Sequence, residues 1–90
     1  MLFLSHYTYP PERREAVQAR FKETGGLPPA GVKMIGRWSH AGRGEGFCVA
    51  ETDDLQALAK WAQQWSDLMS IETFPVLDDE GVMKMLSSAG

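Results

Sequence analysis

The chain has few of the residues on which small secreted proteins and metal sites depend. Cys48 is the single cysteine among 90 residues, so an intramolecular disulfide cannot form and a disulfide-stabilised scaffold is excluded. The two histidines, His6 and His40, do not stand at a spacing from Cys, Asp or Glu that would supply the three or four ligands of a metal site. We therefore predict no metal site and expect no cofactor.

Long apolar stretches are also missing. No run approaches the roughly 18 apolar residues that a membrane helix needs, and the first residues lack the basic region and the apolar length of a signal peptide. We expect a cytoplasmic protein with no membrane partner. The apolar fraction of 43% and the charged fraction of 23% are ordinary for a globular protein, and the length predicts a single domain over residues 1–90.

The net charge of −3 is unevenly distributed along the chain. Residues 1–45 hold seven Lys or Arg and four Asp or Glu, whereas residues 46–90 hold two and eight. A basic half can mark a nucleic-acid partner. However, Arg13, Arg20 and Lys22 stand at helical spacings typical of a solvated face, and no exposed aromatic residues are interleaved with them for base stacking. We predict no nucleic-acid partner.

Two strand-to-helix units organise the chain. Residues 46–52 alternate like a strand, and Asp53 then stands where it can cap a helix, with Gln56 three residues later. Pro75 lacks a backbone donor, which places the last strand at a sheet edge. We predict strands at residues 2–9, 32–39, 46–52 and 70–77, helices at residues 12–24 and 55–69, and a short final helix that starts near residues 78–80.

This order predicts an α+β, ferredoxin-like βαββαβ fold, in which two helices cover one face of a four-stranded antiparallel sheet. The opposite sheet face then has no cover within the chain. Since both side-chain sets of the first three strands include large apolar residues, that face should not be wet. A second copy packed sheet against sheet would cover it. We therefore expect a homodimer, a dimeric α/β barrel.

A family likeness is carried by four segments: Met1-Leu2-Phe3, Gly46-Phe47 with Glu51-Thr52-Asp53-Asp54, Trp61 with Trp65-Ser66-Asp67-Leu68, and Glu72 with Pro75-Val76. Together they resemble an uncharacterised bacterial domain-of-unknown-function family in the dimeric α/β-barrel superfamily. The resemblance implies the ferredoxin-like fold and a dimer. It implies no activity, and the catalytic sets of the monooxygenases, isomerases, lyases and haem-handling proteins in that superfamily have no residue-by-residue match here.

Five residues are candidates for a ligand site. His6 lies mid-strand and its charge changes near neutral pH, while Tyr7 and Trp38 offer flat faces with one polar group each. Glu51 and Glu72 stand beside aromatic residues, where burial would suit them to acid–base work. The alternatives are packing for the aromatic residues and solvated or paired positions for His6 and the two carboxylates.

Three functions remain open on this basis. The first is a homodimer that binds a small apolar or aromatic molecule in a cavity between the two sheets. The second is a cofactor-independent enzyme, similar to a monooxygenase or an isomerase, that uses His6 or Glu72 on a small organic substrate. The third is a structural or interaction module without a ligand.

Overall fold

The computed structural model describes residues 1–88 of the chain. This part contains four β-strands and three α-helices. A single 3-10 turn, Pro11–Arg13, precedes the first helix. The elements are β1 (Leu2–Thr8), α1 (Arg14–Thr24), β2 (Lys33–Ser39), β3 (Glu45–Glu51), α2 (Leu55–Gln63), β4 (Ser70–Val76) and α3 (Asp79–Ser88).

The strands form one sheet in the order β2-β3-β1-β4, and every neighbouring pair is antiparallel. β1 is therefore central, and its Phe3 lies between Ala50 of β3 and Pro75 of β4. Pro75 lies on an edge strand, as its missing backbone donor predicts. The element order and the pairing confirm the predicted ferredoxin-like plan.

The start of α2 depends on two polar side chains. Asp54 is the N-cap, and its carboxylate accepts a hydrogen bond from the Ala57 N–H at 3.1 Å. The buried Thr52 accepts from the Asp54 N–H at 2.9 Å and donates to the Gly31 carbonyl at 2.7 Å. The prediction that Asp53 caps this helix is wrong, because the Asp53 carboxylate points instead to the N-terminal ammonium group, 3.2 Å away.

α2 also ends at Gln63, six residues before the predicted end at residue 69. Beyond it the chain forms turns, such as the bond from the Trp65 N–H to the Ala62 carbonyl at 3.1 Å. Carbonyls of this segment receive donors from outside the helix: Arg20 donates to Gln64 O at 2.7 Å, and Arg13 donates to Asp67 O. These contacts with arginines outside α2 replace the helical bonds that the apolar pattern predicted.

The buried core lies between the helices and one face of the sheet. Phe3, Val32, Ala50 and Leu58 form its central cluster, and Trp61 packs against it. The other face of the sheet carries no helix. We call it the open face; Trp38, Phe47 and Phe74 lie there and are 60%, 44% and 40% exposed. The predicted uncovered apolar face is therefore present.

Candidate functional site

A cavity of about 800 Å³ lies between helices α1 and α2 and the covered face of the sheet. The apolar residues on its helical side are Val17 and Phe21 from α1, Trp61 from α2, and Trp65 in the turn after α2. Leu58 of the core cluster also lines the cavity, so the cavity adjoins the core. Cavities of this size and lining are typical of small-molecule sites.

The sheet side of the cavity supplies hydroxyl groups. Ser5 of β1 and Thr73 of β4 line it, and their oxygens lie 2.8 Å apart in a hydrogen bond. Tyr7 also lines the cavity, and its ring lies directly against the backbone of Gly46. A Cβ at residue 46 would overlap the Tyr7 hydroxyl, so glycine is what lets the ring lie flat there.

Arg37 is the most distinctive charged group of the cavity. Its side chain is half-buried and donates to the carbonyls of Gly26 and Gly25 at 2.6 and 3.0 Å, where the left-handed Gly25 ends α1. Its guanidinium also lies 4.9 Å from the centre of the Phe21 ring. These contacts connect β2 to the C-terminal end of α1, where the helix dipole favours a cation.

The rim of the cavity is basic although the chain is acidic overall. Arg14, Lys22, Arg37 and Arg43 line it, against a single carboxylate, Glu15. Arg43 is neutralised by Glu45, 2.8 Å away. Within residues 1–88, no carboxylate forms an ion pair with the other three cations. The cavity therefore has a positive potential that favours anions.

Cys48 lines the cavity from β3 and is buried. Burial raises the pKa of its thiol, and the nearby Arg37 only partly opposes that effect. Because the thiolate is the reactive form, Cys48 is a poor nucleophile in this setting. This agrees with its interpretation from the sequence as a packing residue.

An ordered acid–base pair lies on the open face, outside the cavity. His6 Nε2 is 2.7 Å from Glu45 Oε2. Because an ionised carboxylate can only accept a hydrogen bond, His6 Nε2 is the donor. The His6 ring stacks on Phe47 with centroids 4.7 Å apart. Hydrogen bonds from His6 and then from Arg43 lower the pKa of the Glu45 carboxyl.

The five predicted site residues fall on both sides of the sheet. Tyr7 lines the cavity, whereas His6, Trp38, Glu51 and Glu72 belong to the open face. His6 and Glu72 are register partners, but Glu51 pairs with Leu2, four residues along β1 from His6. That separation is about 13 Å at 3.3 Å per residue. The structure therefore brings His6 and Glu72 together and leaves Glu51 apart.

Sequence reasoning missed Arg37 because of a β-bulge in β2. Met34 pairs with Ala50, but Gly36 pairs with Val49, so Ile35 is an extra residue. The bulge reverses the alternation: Arg37 joins the covered face, and Trp38 moves to the open face. No local signal in the sequence announces this change. Trp61 and Trp65, interpreted from the sequence as packing residues, also line the cavity.

Residues 1–88 contain neither a metal site nor a membrane-spanning helix. In that range, no group of three or more His, Cys, Asp or Glu side chains is arranged to hold a metal ion. No helix among those residues has the length and apolar character needed to cross a membrane.

Comparisons with known proteins agree with this fold. A family described as Domain of unknown function (DUF3303) matches residues 1–90. The structure of Rv0793 from Mycobacterium tuberculosis superposes with a TM-score of 0.52 at 16% identity and covers 87% of this chain and 95% of its own. No curated protein sequence matches.

Two further solved structures are similar at lower scores. One, from Deinococcus radiodurans, is named as a candidate antibiotic biosynthesis monooxygenase; it has a TM-score of 0.47, 9% identity, and coverage of 87% of this chain and 94% of its own. The other is a mutant of MhuD with two manganese protoporphyrin IX molecules bound per active site. It has a TM-score of 0.43, 15% identity, and coverage of 87% and 95%.

Proposed function

The chain belongs to the DUF3303 family of domains of unknown function, and from its cavity we propose that it binds a small, flat apolar or aromatic molecule that carries an anionic group. The observation that supports this most directly is the cavity of about 800 Å³ with aromatic walls and the half-buried Arg37. It differs from the site expected from the sequence, which lay between the sheets of two copies.

The aromatic walls of the cavity favour a ligand with an apolar part. Phe21, Trp61 and Trp65 present flat surfaces, and aromatic rings gain from offset or edge-to-face contact with another ring beyond the burial of area. The hydroxyls of Ser5, Tyr7 and Thr73 offer a few polar contacts on the sheet side. A few placed polar groups in an apolar cavity orient a ligand rather than hold it by charge alone.

Arg37 favours an anionic group on the ligand. Its two hydrogen bonds go to neutral carbonyls, so its charge is not cancelled by a carboxylate within residues 1–88. A guanidinium has five donors in a planar fork, and those not used by Gly25 and Gly26 fit a carboxylate or phosphate. Lys22 and Arg14 on the rim add long-range attraction to an anion.

A homodimer is part of this proposal. The open face carries Trp38, Phe47 and Phe74 with 40% or more of each residue exposed. A contiguous apolar surface of this kind on a small protein favours contact with another protein surface. A second copy brings the same apolar face in a closed, two-fold contact.

The three tryptophans allow a direct test of the site. Trp61 and Trp65 line the cavity, whereas Trp38 lies on the open face. Titration with a naphthalene carboxylate and with its carboxamide, followed by NMR of the indole N–H signals, should shift the signals of Trp61 and Trp65 and leave that of Trp38 in place. We expect the carboxylate to bind about tenfold more tightly than the amide, since hydrogen bonds to a charged acceptor are the stronger ones.

Two variants separate recognition of the ligand's charge by Arg37 from the effect of removing any positive charge from the same strand. Arg37→Gln should remove the preference for the carboxylate over the amide, whereas Lys33→Gln, an exposed residue on the same strand, should keep it. A shift of the Trp38 signal alone would instead locate the ligand between the sheets. No shift of any indole signal with either compound would contradict the proposal and favour a module without a ligand.

A further inference from the structure

The final helix, α3, has an apolar side that its own chain leaves exposed. Val82, Met83, Met85 and Leu86 are 36%, 61%, 49% and 57% exposed. At 3.6 residues per turn they occupy an arc of roughly 160°, with Glu80 and Lys84 on the opposite side. This pattern is typical of a helix that packs against another surface.

No residue of α3 is buried, and the molecule as a whole is elongated. The principal dimensions are 52 × 28 × 17 Å, and the radius of gyration is 14.9 Å. A compact chain of 90 residues would have a radius of gyration of about 12 Å. A ten-residue helix is also marginally stable in water without tertiary contacts. α3 therefore needs a surface that lies outside its own protomer.

The charge of α3 selects among possible surfaces. It carries Asp79 and Glu80 in its first turn, and its one basic residue, Lys84, lies 3.7 Å from Glu80. Helices that lie on anionic lipid or on nucleic acid depend on unpaired Lys and Arg. An acidic helix with an apolar side fits a protein surface instead.

That surface is present on the chain itself. Leu77, 63% exposed, links α3 in sequence to β4, whose Phe74 lies on the open face. With nine large apolar residues about half exposed, and roughly 150 Å² for each because six are aliphatic, the two surfaces together offer about 700 Å² per chain. A stable interface buries about 800 Å² per partner. The nine residues are Ile35, Trp38, Phe47, Phe74, Leu77, Val82, Met83, Met85 and Leu86.

We propose that α3 of each copy packs against a second copy of this chain and extends the contact between the two open faces into one continuous two-fold interface. This inference rests on the proposed homodimer. It adds that residues 79–88, which lie outside the sheet and its two covering helices, hold the dimer together.

A pair of matched double variants tests the role of α3. Val82→Gln with Leu86→Gln changes the centre of the apolar side, and Glu80→Gln with Lys84→Gln changes the opposite side; both keep the net charge and use a good helix former. In sedimentation equilibrium, we expect the first pair to raise the dimer dissociation constant at least about tenfold. The second pair should leave it within about twofold.

A second measurement detects the contact between copies. A nitroxide on Ser87→Cys, in a Cys48→Ala background, should broaden the amide signals of an isotope-labelled copy that carries no nitroxide. Unchanged dissociation of the first double variant, or no broadening in the labelled copy, would overturn the role of α3 while the dimer stands. An unmodified chain that sediments as a monomer would overturn the dimer as well.

Discussion

At the scale of single residues, close contacts between glycines and aromatic rings shape both faces of the sheet. A Cβ on Gly36 would lie 2.5 Å from the ring of Trp38, so the indole folds flat over the strand on the open face. Gly46 has the same relation to Tyr7 on the cavity side, and it also faces a backbone atom, Trp38 O, 2.8 Å from a Cβ. A side-chain rotation cannot relieve that second contact.

Gly46→Ala should therefore destabilise the protein by about 1–3 kcal/mol, the usual cost of overpacking. The cause is displacement of Tyr7 and of the β2 backbone. Urea unfolding measures it, with Gly42→Ala as the control. In the control the new Cβ would have only the His40 ring near it, at 3.4 Å, and its effect should stay within about 0.5 kcal/mol. Equal stability of the two variants would show that both the Tyr7 ring and the β2 backbone can move away from residue 46 without cost.

Arg37→Gln should lower the free energy of unfolding by about 1–3 kcal/mol, because two hydrogen bonds from a charged donor to Gly25 O and Gly26 O are lost. The C-terminal end of α1 then loses its attachment to β2. Chemical denaturation is the measurement, and Lys33→Gln on the same strand is the control. An equal decrease in the free energy of unfolding of both variants would indicate a general effect of charge rather than the loss of these two hydrogen bonds.

At the scale of elements, α1 is tied to the segment after α2 by a forked ion pair. Arg20 donates to both carboxylate oxygens of Asp67, at 2.7 and 2.8 Å, and its guanidinium lies 5.5 Å from the Trp65 ring centre. The hydrogen bonds from Arg20 lower the pKa of the Asp67 carboxyl, and those to Asp67 raise the pKa of Arg20. The pair holds α1 against the segment that carries Trp65, which lines the cavity.

Asp67→Asn should lower the melting temperature by a few degrees at neutral pH and have a smaller effect in acid. A carboxyl whose pKa is lowered by folding stabilises the protein above its ordinary pKa, and that stabilisation is lost as the pH falls through the lowered value. Melting curves across the acidic range test this, with Glu12→Gln as the control, because Glu12 is exposed and forms no ion pair within residues 1–88. A difference between Asp67→Asn and the unmodified chain that stays constant with pH would exclude this linkage.

At the scale of the whole molecule, a single chain buries few of its large apolar residues and leaves many of them exposed. Phe3, Val17 and Leu58 are buried, with only 6%, 7% and 6% of each residue exposed, yet Trp38 is 60% exposed. Small domains bury only about 60% of their unfolded surface, so added burial in an oligomer is a substantial part of their stability. A second copy would supply that burial.

Trp38→Ala should weaken the dimer at least about tenfold, because Trp38 is the most exposed aromatic residue of the open face and tryptophans are typical hot spots of interfaces. Sedimentation velocity across a dilution series measures the change. Leu27→Ala is the matched control: Leu27 is 68% exposed but lies in the loop between α1 and β2, away from the open face. A dimer that survives Trp38→Ala unchanged would mean that the open face is not its interface.

Much of the fold was predictable, and particular residues show why. The alternation over Leu2–Thr8, the Gly25 stop and the Pro75 edge signal are all local, and each matches the structure. The end of α2 was not predictable, because it depends on Arg13 and Arg20, more than 40 residues away. Of the five candidate ligand-site residues, Tyr7 alone lines the cavity.

The sequence by itself determined the order and type of the elements and the excess of apolar residues on the strands, because periodicity and turn residues act between neighbours. Only the tertiary structure decided which face each side chain joined and where space was left. One extra residue at Ile35 moves Arg37 into the cavity and Trp38 out of it. The cavity itself is what remains when side chains from several elements fail to fill the gap between helices and sheet, and no local pattern encodes that remainder.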